Sequence, residues 1–581
     1  MIKIIAPVNS PEDIEIISQT GCRSVYLASS YLKKGDESIF KSVFEQVQKH
    51  KFELYIKFKR PESEKEEKEN IQILEILLNK NIDGILINNI GLLSYLNTKE
   101  INFKVIIDSG LNIHNMSGLD FLNNLYPVSS VNLTEEIYIR NLSKIKQYSK
   151  CKVYIDADNL PWISCDIIKN KAVDYVFIKG DIKKSKTLLE GITTVEKILK
   201  NKCTPESTKL PFKHFENSSY RTNHFSGEFQ SSKGKAFKFT GNIQQFNWKY
   251  KRFSYKKPAL KDIQNLPRLN VRLTTLEQFK TLKNYIKSLK FNPVYSIEYG
   301  EILSTADLAK NSFNKIIEKV KRDCERYNIQ LFLSTPKVLI ERDFERVNDY
   351  IKQLCLESPR PQGIIVNNIG LLWSIINDVD FDDLNIEMGQ GLNVIGSSSV
   401  KCLTKFGKIN SIDFSNYKNI DDIKTCINNI GSNIPNRKLT IGGNIRIPSS
   451  GLCPLNNDPA ILSRLSCFAP CHHGSYAISD PLKKKLFPIA VDGFCRMHLF
   501  EEKVLDLFKS IPKIADAGIN EFSIDFSGLT HKLIPVLLNR YLKAILDNDY
   551  SSDENFITDY YNILKSCEKQ KIYADTTVLR D

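Results

Sequence analysis

The residues with the clearest chemistry lie between Gly451 and Met497. This stretch holds Cys453, Cys467, Cys471 and Cys495, four of the chain's thirteen cysteines, with thirteen, three and twenty-three residues between successive members. His472 and His473 lie among them and His498 just beyond, three of only eight histidines. Thiolates gathered in this way suit zinc or an iron–sulfur cluster. The spacing matches neither a paired zinc-knuckle pattern nor the ferredoxin run, so the residues leave the metal open. His472 or His473 could replace a thiolate at a zinc ion. Two disulfides, or four unrelated buried thiols, are the rival readings. Unpaired thiolates repel one another and oxidise, whereas a cation neutralises them and fixes a long loop, which favours the metal.

A second chemical signal lies between Asn201 and Leu260. Twelve Lys/Arg face three Glu there, in a chain whose net charge is +14. Twelve aromatics interleave with them, among them Trp248 and Tyr250 beside Lys249, Lys251 and Arg252. Basic and aromatic side chains together can hold phosphates and stack bases, which makes RNA the expected partner and these three residues its contacts. A small β insert whose aromatics form its own core fits the same composition.

The composition, 42% hydrophobic and 25% charged, is that of a folded chain with room for several domains. No apolar run approaches a membrane span, and the opening MIKIIAPVNSPEDIEII has too short an apolar core for a signal peptide. The expectation is a cytoplasmic protein with reduced thiols, which weighs against disulfides.

Short apolar runs alternate with amphipathic stretches over the first 200 residues. Strands are expected at Ile2–Ala6, Ser24–Ala28, Glu53–Phe58, Gly84–Asn88, Lys104–Asp108, Ser129–Leu133, Lys152–Asp156 and Asp174–Lys179. Ser10-Pro11-Glu12 reads as a helix start, with a capping serine, a proline in the first turn and an acid on the dipole. Eight such units predict a parallel β/α barrel, with an open doubly wound sheet as the alternative. No glycine-rich turn follows the first strand, so no dinucleotide site is expected. The order repeats from about Pro267, and the repeat is legible: Gly84–Leu93 spells GILINNIGLL and Gly363–Leu372 spells GIIVNNIGLL, eight identities in ten. Gly110-Leu111-Asn112 likewise answers to Gly391-Leu392-Asn393. A domain-sized internal duplication predicts two tandem (β/α)8 TIM-like barrels with the basic aromatic-rich insert between them.

The copies differ where chemistry is expected. About 75 residues, including the four cysteines, separate the seventh and eighth strands of the second copy, against a short connection with only Cys165 in the first. Loops after barrel strands build the active-site face, so the second copy carries the candidate site and the first is a degenerate partner. Glu298, Glu387, Asn393 and Asp525, at or near strand ends, are the candidate acids, bases or orienters. The repeated Asn-Asn pairs, Asn88-Asn89 and Asn367-Asn368, read as turn chemistry ahead of polar-ligand binding. The expected domains are residues 1–200, a degenerate barrel; 201–262, the insert; 263–550, the barrel with the cysteine loop; and 551–581, a helix and tail.

At these residues the chain resembles the collagenase-like peptidases of family U32. The opening IIAPVNSPEDIEIISQTGCRSVYLA, LNIHN at Leu111–Asn115, AVDYVFIKGDIKK at Ala172–Lys184 and SYRTNHFSGEF at Ser219–Phe229 are similar to the family's first half. CPL at Cys453–Leu455, then Cys467 and Cys471, then FPIAVDGFCR at Phe487–Arg496 resemble the cysteine-bearing barrel of its long members. The family, named for proteolysis, includes RNA hydroxylation and ubiquinone-pathway hydroxylation proteins, several with a four-cysteine cluster and some with prephenate implicated as hydroxyl source. The resemblance therefore implies a 4Fe-4S cluster on Cys453, Cys467, Cys471 and Cys495, and tRNA or rRNA hydroxylation. A collagenase-like peptidase, and a non-catalytic RNA-binding or assembly subunit, are the alternatives. Two departures stand out: the first copy lacks the cysteine loop, and the Lys483-Lys484-Lys485 run replaces the glycine expected before the Phe-Pro.

Overall fold

The computed structural model describes residues 2–33, 37–128, 130–132, 146, 151–157, 173–178, 185–200, 268–289, 291–300, 312–446, 476–480, 485–492 and 496–547. The basic segment Asn201–Leu260 and the expected helix and tail of residues 551–581 lie outside these residues.

In the first half, β1 (Lys3–Pro7), β2 (Ser24–Ala28), β3 (Glu53–Lys57), β4 (Gly84–Ile87), β5 (Lys104–Ile107), β6 (Ser130–Asn132), β7 (Lys152–Asp156) and β8 (Tyr175–Phe177) close into a parallel barrel. The open-sheet alternative is excluded by the β1–β8 pairing. Ser10 caps the first helix, and Asp13 returns the contact by accepting from the Ser10 N–H (3.1 Å), a reciprocal box with Pro11 at the first position.

The second half repeats the plan with β9 (Arg268–Leu273), β10 (Ser296–Gly300), β11 (Gln330–Ser334), β12 (Gly363–Val366), β13 (Asn385–Met388), β14 (Ile409–Asp413), β15 (Asn436–Arg446) and, after an excursion, β19 (Glu521–Asp525). It closes through β14–β15, β15–β19 and β19–β9. Three antiparallel strands, β16 (Tyr476–Asp480), β17 (Lys485–Val491) and β18 (Met497–Asp506), extend the sheet from β15 and were not anticipated within the long seventh connection. They leave the barrel where β15 bends outward: its register shifts between Thr440 and Gly442, and Gly443 adopts φ +100°. A Cβ at Gly443 would lie 2.1 Å from the Asp525 carbonyl oxygen, so glycine is required for this exit.

The two barrels share one pairing register. Pro7 faces Tyr26 and Tyr26 faces Tyr55 in the first, as Arg272 faces Glu298 and Glu298 faces Phe332 in the second. Ile106 faces Ser130 as Glu387 faces Ser411, and Asn132 faces Tyr154 as Asp413 faces Lys438. Side chains alternate along a strand, so a shared register puts equivalent positions inside both barrels.

The halves dock through the helices that follow their fourth and fifth strands. Ile90–Leu96 packs on Ser397–Thr404, and Met116–Leu125 on Ile369–Ile376. The repeated asparagines work here. Asn89 caps its helix at the Leu92 N–H (2.9 Å), and Asn368 caps the equivalent helix at the Gly370 and Leu371 N–H groups (3.1 and 3.2 Å). Asn115 of the first half donates to Asn368 Oδ1 (3.1 Å), while Glu67 accepts from the Ser398 and Ser399 N–H groups (2.9 and 3.3 Å) and Glu64 from the Ser397 N–H (2.6 Å).

Candidate functional site

Equivalent inward positions carry different chemistry in the two barrels. Ile5, Tyr26, Tyr55, Leu86, Ile106, Tyr154, Tyr175 and Phe177 fill the first with an apolar plug, Tyr154 stacking on Tyr175 with ring centroids 4.3 Å apart. In the second, Arg272 stands where the first has Pro7, Glu298 where it has Tyr26, Glu387 where it has Ile106, and Lys438 where it has Tyr154. Above them sit Asp413 and Asp525 on their strand ends and Arg446 on the outgoing end of β15.

These seven side chains are buried and form one network. Arg272 Nε donates to Glu298 Oε2 (2.6 Å) and Arg272 Nη1 to Asp525 Oδ2 (3.1 Å), with Asp413 Oδ2 3.8 Å from Arg272 Nη2. Lys438 Nζ contacts both Glu298 and Glu387. Arg446 Nε donates to Asp525 Oδ2 (3.0 Å), and Ser411 Oγ to Glu387 Oε2 (3.2 Å). Three cations thus face four carboxylates.

The carboxylates do not titrate alike. Burial pushes Glu387 up to about 8; Lys438 opposes this, but Glu298 and Asp413 add to it. Burial also acts on Asp525, yet Arg446 and Arg272 outweigh it and hold the carboxyl at about 2. Glu298 is likewise lowered, its burial overcome by Arg272 and Lys438. Burial works against the Lys438 ammonium, but Glu298, Glu387 and Asp413 keep its pKa above the ordinary value. A protonated Glu387 relieves the layer of its one acid in excess of its cations. One acid poised near neutrality, beside a Glu298 carboxylate and a Lys438 ammonium held in their charged forms, is a general acid–base arrangement. Buried charge on this scale is a poor way to stabilise a barrel, since an apolar layer does so without desolvation, as the first barrel shows.

Of the residues singled out from sequence, the structure brings Glu298, Glu387 and Asp525 together. Asn393 is elsewhere: it ends the 3-10 turn Gln390–Leu392 with φ +54°, mirrored by Asn112, and lines a small cavity at the seam between the barrels with Asn88, Asn89 and Ser399. Asn367 is tied to its neighbours, donating to the Thr335 carbonyl (2.9 Å) and accepting from the Gly391 N–H (3.0 Å). Arg272, Asp413, Lys438 and Arg446 had not been singled out; the signal was a charge at an inward position of an otherwise apolar strand.

Cys453, Cys467, Cys471 and Cys495, and Lys249, Lys251 and Arg252, lie outside the described residues. The flanks of the cysteine stretch are described. Arg446, which leads into it, is held by Asp525. Beside Cys495, Arg496 Nε donates to Asp492 Oδ2 (2.7 Å), His498 Nε2 is 3.0 Å from the same oxygen, and Arg496 Nη1 reaches the Val338 carbonyl (3.0 Å). Burial raises the Asp492 carboxyl, but Arg496 and His498 prevail and hold it at about 2. Among the described residues no group of three or more His, Cys, Asp or Glu is arranged to hold a metal ion. The described free cysteines are all buried, and burial pushes the thiols of Cys22, Cys324, Cys355 and Cys426 up to about 12, the opposite of an activated nucleophile. No helix among the described residues is long and apolar enough to cross a membrane.

The sequence model of peptidase family U32 matches residues 12–157 and 304–574. A search of curated proteins found no match. Solved structures similar to parts of the chain include a truncated 3-deoxy-D-arabino-heptulosonate 7-phosphate synthase from Thermotoga maritima, 16% identical over 34% of this chain and 87% of that one (TM-score 0.26). A putative fructose-1,6-biphosphate aldolase from Coccidioides immitis is 10% identical over 54% and 89% (TM-score 0.27). The YdjI aldolase from Escherichia coli K12 is 9% identical over 35% and 86% (TM-score 0.24). Likenesses this distant say nothing about activity.

Proposed function

The chain belongs to peptidase family U32, and from that membership we propose an iron–sulfur-dependent enzyme that hydroxylates RNA at the C-terminal mouth of its second barrel. One observation carries the reading: a charged layer, unlike the apolar layer at the same positions of the first barrel, includes Lys438 and Arg446 of β15, the strand whose outgoing end leads into the four-cysteine stretch. A 4Fe-4S cluster on Cys453, Cys467, Cys471 and Cys495 would supply one-electron chemistry there, and four thiolates are a donor set suited to it. Glu387 would hold and release a proton, Glu298 and Lys438 would fix its orientation, and Arg272 and Arg446 would keep Asp525 ionised. A cytoplasmic setting keeps the thiols reduced. Lys249, Lys251 and Arg252 would bind the RNA backbone, and a small carboxylate such as prephenate would serve as hydroxyl donor. Zinc is the rival occupant of the cysteines.

Anaerobically purified protein should contain about four iron and four sulfide per chain, as a four-thiolate cluster requires. Cys467→Ala should lose them. RNA from cells lacking the chain should lack one added oxygen that the wild type restores and Glu387→Gln does not. One zinc with no sulfide would overturn the cluster. Unchanged RNA, together with peptide hydrolysis abolished in Glu387→Gln, would replace hydroxylation by proteolysis; RNA bound but unmodified would leave a non-catalytic subunit.

A further inference from the structure

Strand β18 has two partners. Phe500–Asp506 pairs with β15 between Arg446 and Gly442, and Met497–Leu499 pairs with β17 between Val491 and Ile489. The link from β17 to β18 is tied at its base: the Asp492 N–H donates to the Arg496 carbonyl (3.1 Å) and the Arg496 N–H to Asp492 Oδ1 (3.0 Å). The ends of this ribbon rest on different walls of the second barrel. Asn444 and Phe500 lie against the turn after β19: Asn444 Nδ2 donates to the Ser527 carbonyl (2.9 Å), and a Cβ at Gly528 would stand 3.2 Å from Phe500 Cε2. At the far end, Arg496 Nη1 donates to the carbonyl of Val338, in the loop after β11 (3.0 Å). In the closed ring, β11 is four strands from β15 in either direction. Eight strands about 4.8 Å apart and tilted about 36° make a ring roughly 15 Å across and roughly 47 Å around. From Phe500 to Arg496 the chain spans about 13 Å, close to the width of the ring and short of the arc of roughly 18–24 Å along its rim. What lies between is covered. Asp413 and Asp525 end their strands on this face with Arg446 above them, yet none of the three side chains is more than 3% exposed.

We infer that the β17–β18 hairpin is a strap across the mouth of the second barrel, and that Arg496, hooked onto the Val338 carbonyl, is the residue that positions it over the charged layer. Asp492 aims the hook. Arg496 Nε donates to Asp492 Oδ2 (2.7 Å) and His498 Nε2 stands 3.0 Å from the same oxygen, which directs the Nη1 arm of the guanidinium at Val338. A planar fork that grips a carboxylate with one arm and a carbonyl with another is a task for arginine, not lysine. A strapped mouth selects its substrate by width. An RNA duplex laid over it rests on the strap, away from Glu387, whereas one nucleotide taken out of its stack can pass beside it. On the RNA reading proposed above, on which this last step rests, the modified position is therefore unpaired, in a loop, a bulge or an end.

A water-soluble carbodiimide with glycine ethyl ester labels the carboxyls it can reach, and mass spectrometry of the digested full chain reads each one. Glu387 and Asp413 should label slowly in the wild type and at least tenfold faster in Arg496→Ala, while Asp382, whose side chain is 55% exposed, labels alike in both. Amide exchange should quicken at residues 335–340 as well as in β17 and β18, because Val338 is the far anchor. Arg496→Lys keeps a charge beside Asp492 and loses the fork, so it should loosen the same two places; it keeps the test decisive if Arg496→Ala does not fold. Equal labelling of Glu387 and Asp413 in all three proteins, or faster exchange confined to the hairpin with 335–340 unmoved, would overturn the strap. The substrate is read separately. The nucleotide that loses its added oxygen in cells lacking the chain should be unpaired, and one inside a continuous duplex would overturn selection by width. Unchanged RNA in those cells would remove the RNA reading and its unpaired substrate together, while the strap stands or falls on the labelling.

Discussion

Lys438 is the residue on which the second barrel's interior turns, because Glu298 and Glu387 both depend on its ammonium. Replacing it with methionine leaves two carboxylates facing each other in a buried layer. Removing one partner of a buried ion pair costs about 3–5 kcal/mol, so Lys438→Met should lower the free energy of chemical unfolding by that order. A loss below about 1 kcal/mol, the range of an exposed pair, would mean that the layer is solvated. Glu387 makes a distinct pH prediction. Its folded pKa of about 8 lies above the roughly 4.3 of an unfolded chain, so the folded state keeps the extra proton between these values. That contribution is complete below the unfolded value and is lost as pH rises through the folded one. Glu387→Gln keeps a neutral hydrogen-bonding group, so its stability should fall less than the wild type's between pH 5 and 8. Equal slopes would contradict the assignment. Asp525, held at about 2, behaves in the opposite sense: its contribution is present above the unfolded value and lost as pH falls toward 2.

At the scale of elements, the repeated NNIGLL sequence is a docking device. Its second asparagine caps a helix, and its glycine lets the other barrel approach. A Cβ at Gly370 would lie 1.9 Å from Asn115 Oδ1 and 2.8 Å from the Gly118 nitrogen. Gly370→Ala should therefore destabilise the protein by about 1–3 kcal/mol, as overpacking does, read as a lowered thermal midpoint. An unchanged midpoint would show that the seam gives way freely. The sixteen barrel strands were legible because period-two apolar runs between capped helices leave little freedom, and the duplicated decapeptide announced the second copy. Strands β16 to β18 were not, although YAISD, LFPIAV and MHLFEEKVLD alternate adequately. The cysteines drew that stretch toward a loop reading. The charged layer was half legible: Glu298, Glu387 and Asp525 stand near strand ends, whereas Arg272 and Lys438 needed the register to reveal that they point inward.

For the whole molecule, one contiguous apolar core runs from Ile4 in the first barrel to Ile545 beyond the second. With a buried, hydrogen-bonded seam as well, the halves should unfold together, in a single calorimetric transition whose van't Hoff and calorimetric enthalpies agree. Two resolved transitions would show that the seam is weaker than its contacts suggest. That seam also gives the stacked tyrosines of the first barrel a meaning beyond their own half. The helix clamped by Glu64 and Glu67 follows the strand that carries Glu387, so the rigid copy braces the copy that holds the expensive charges. Duplication has separated two demands that a lone barrel must reconcile. A laboratory selection for thermal hardiness should accordingly accept changes around Tyr154 and Tyr175, and a selection for altered chemistry should accept them around Glu387 and Lys438, with little overlap between the two sets.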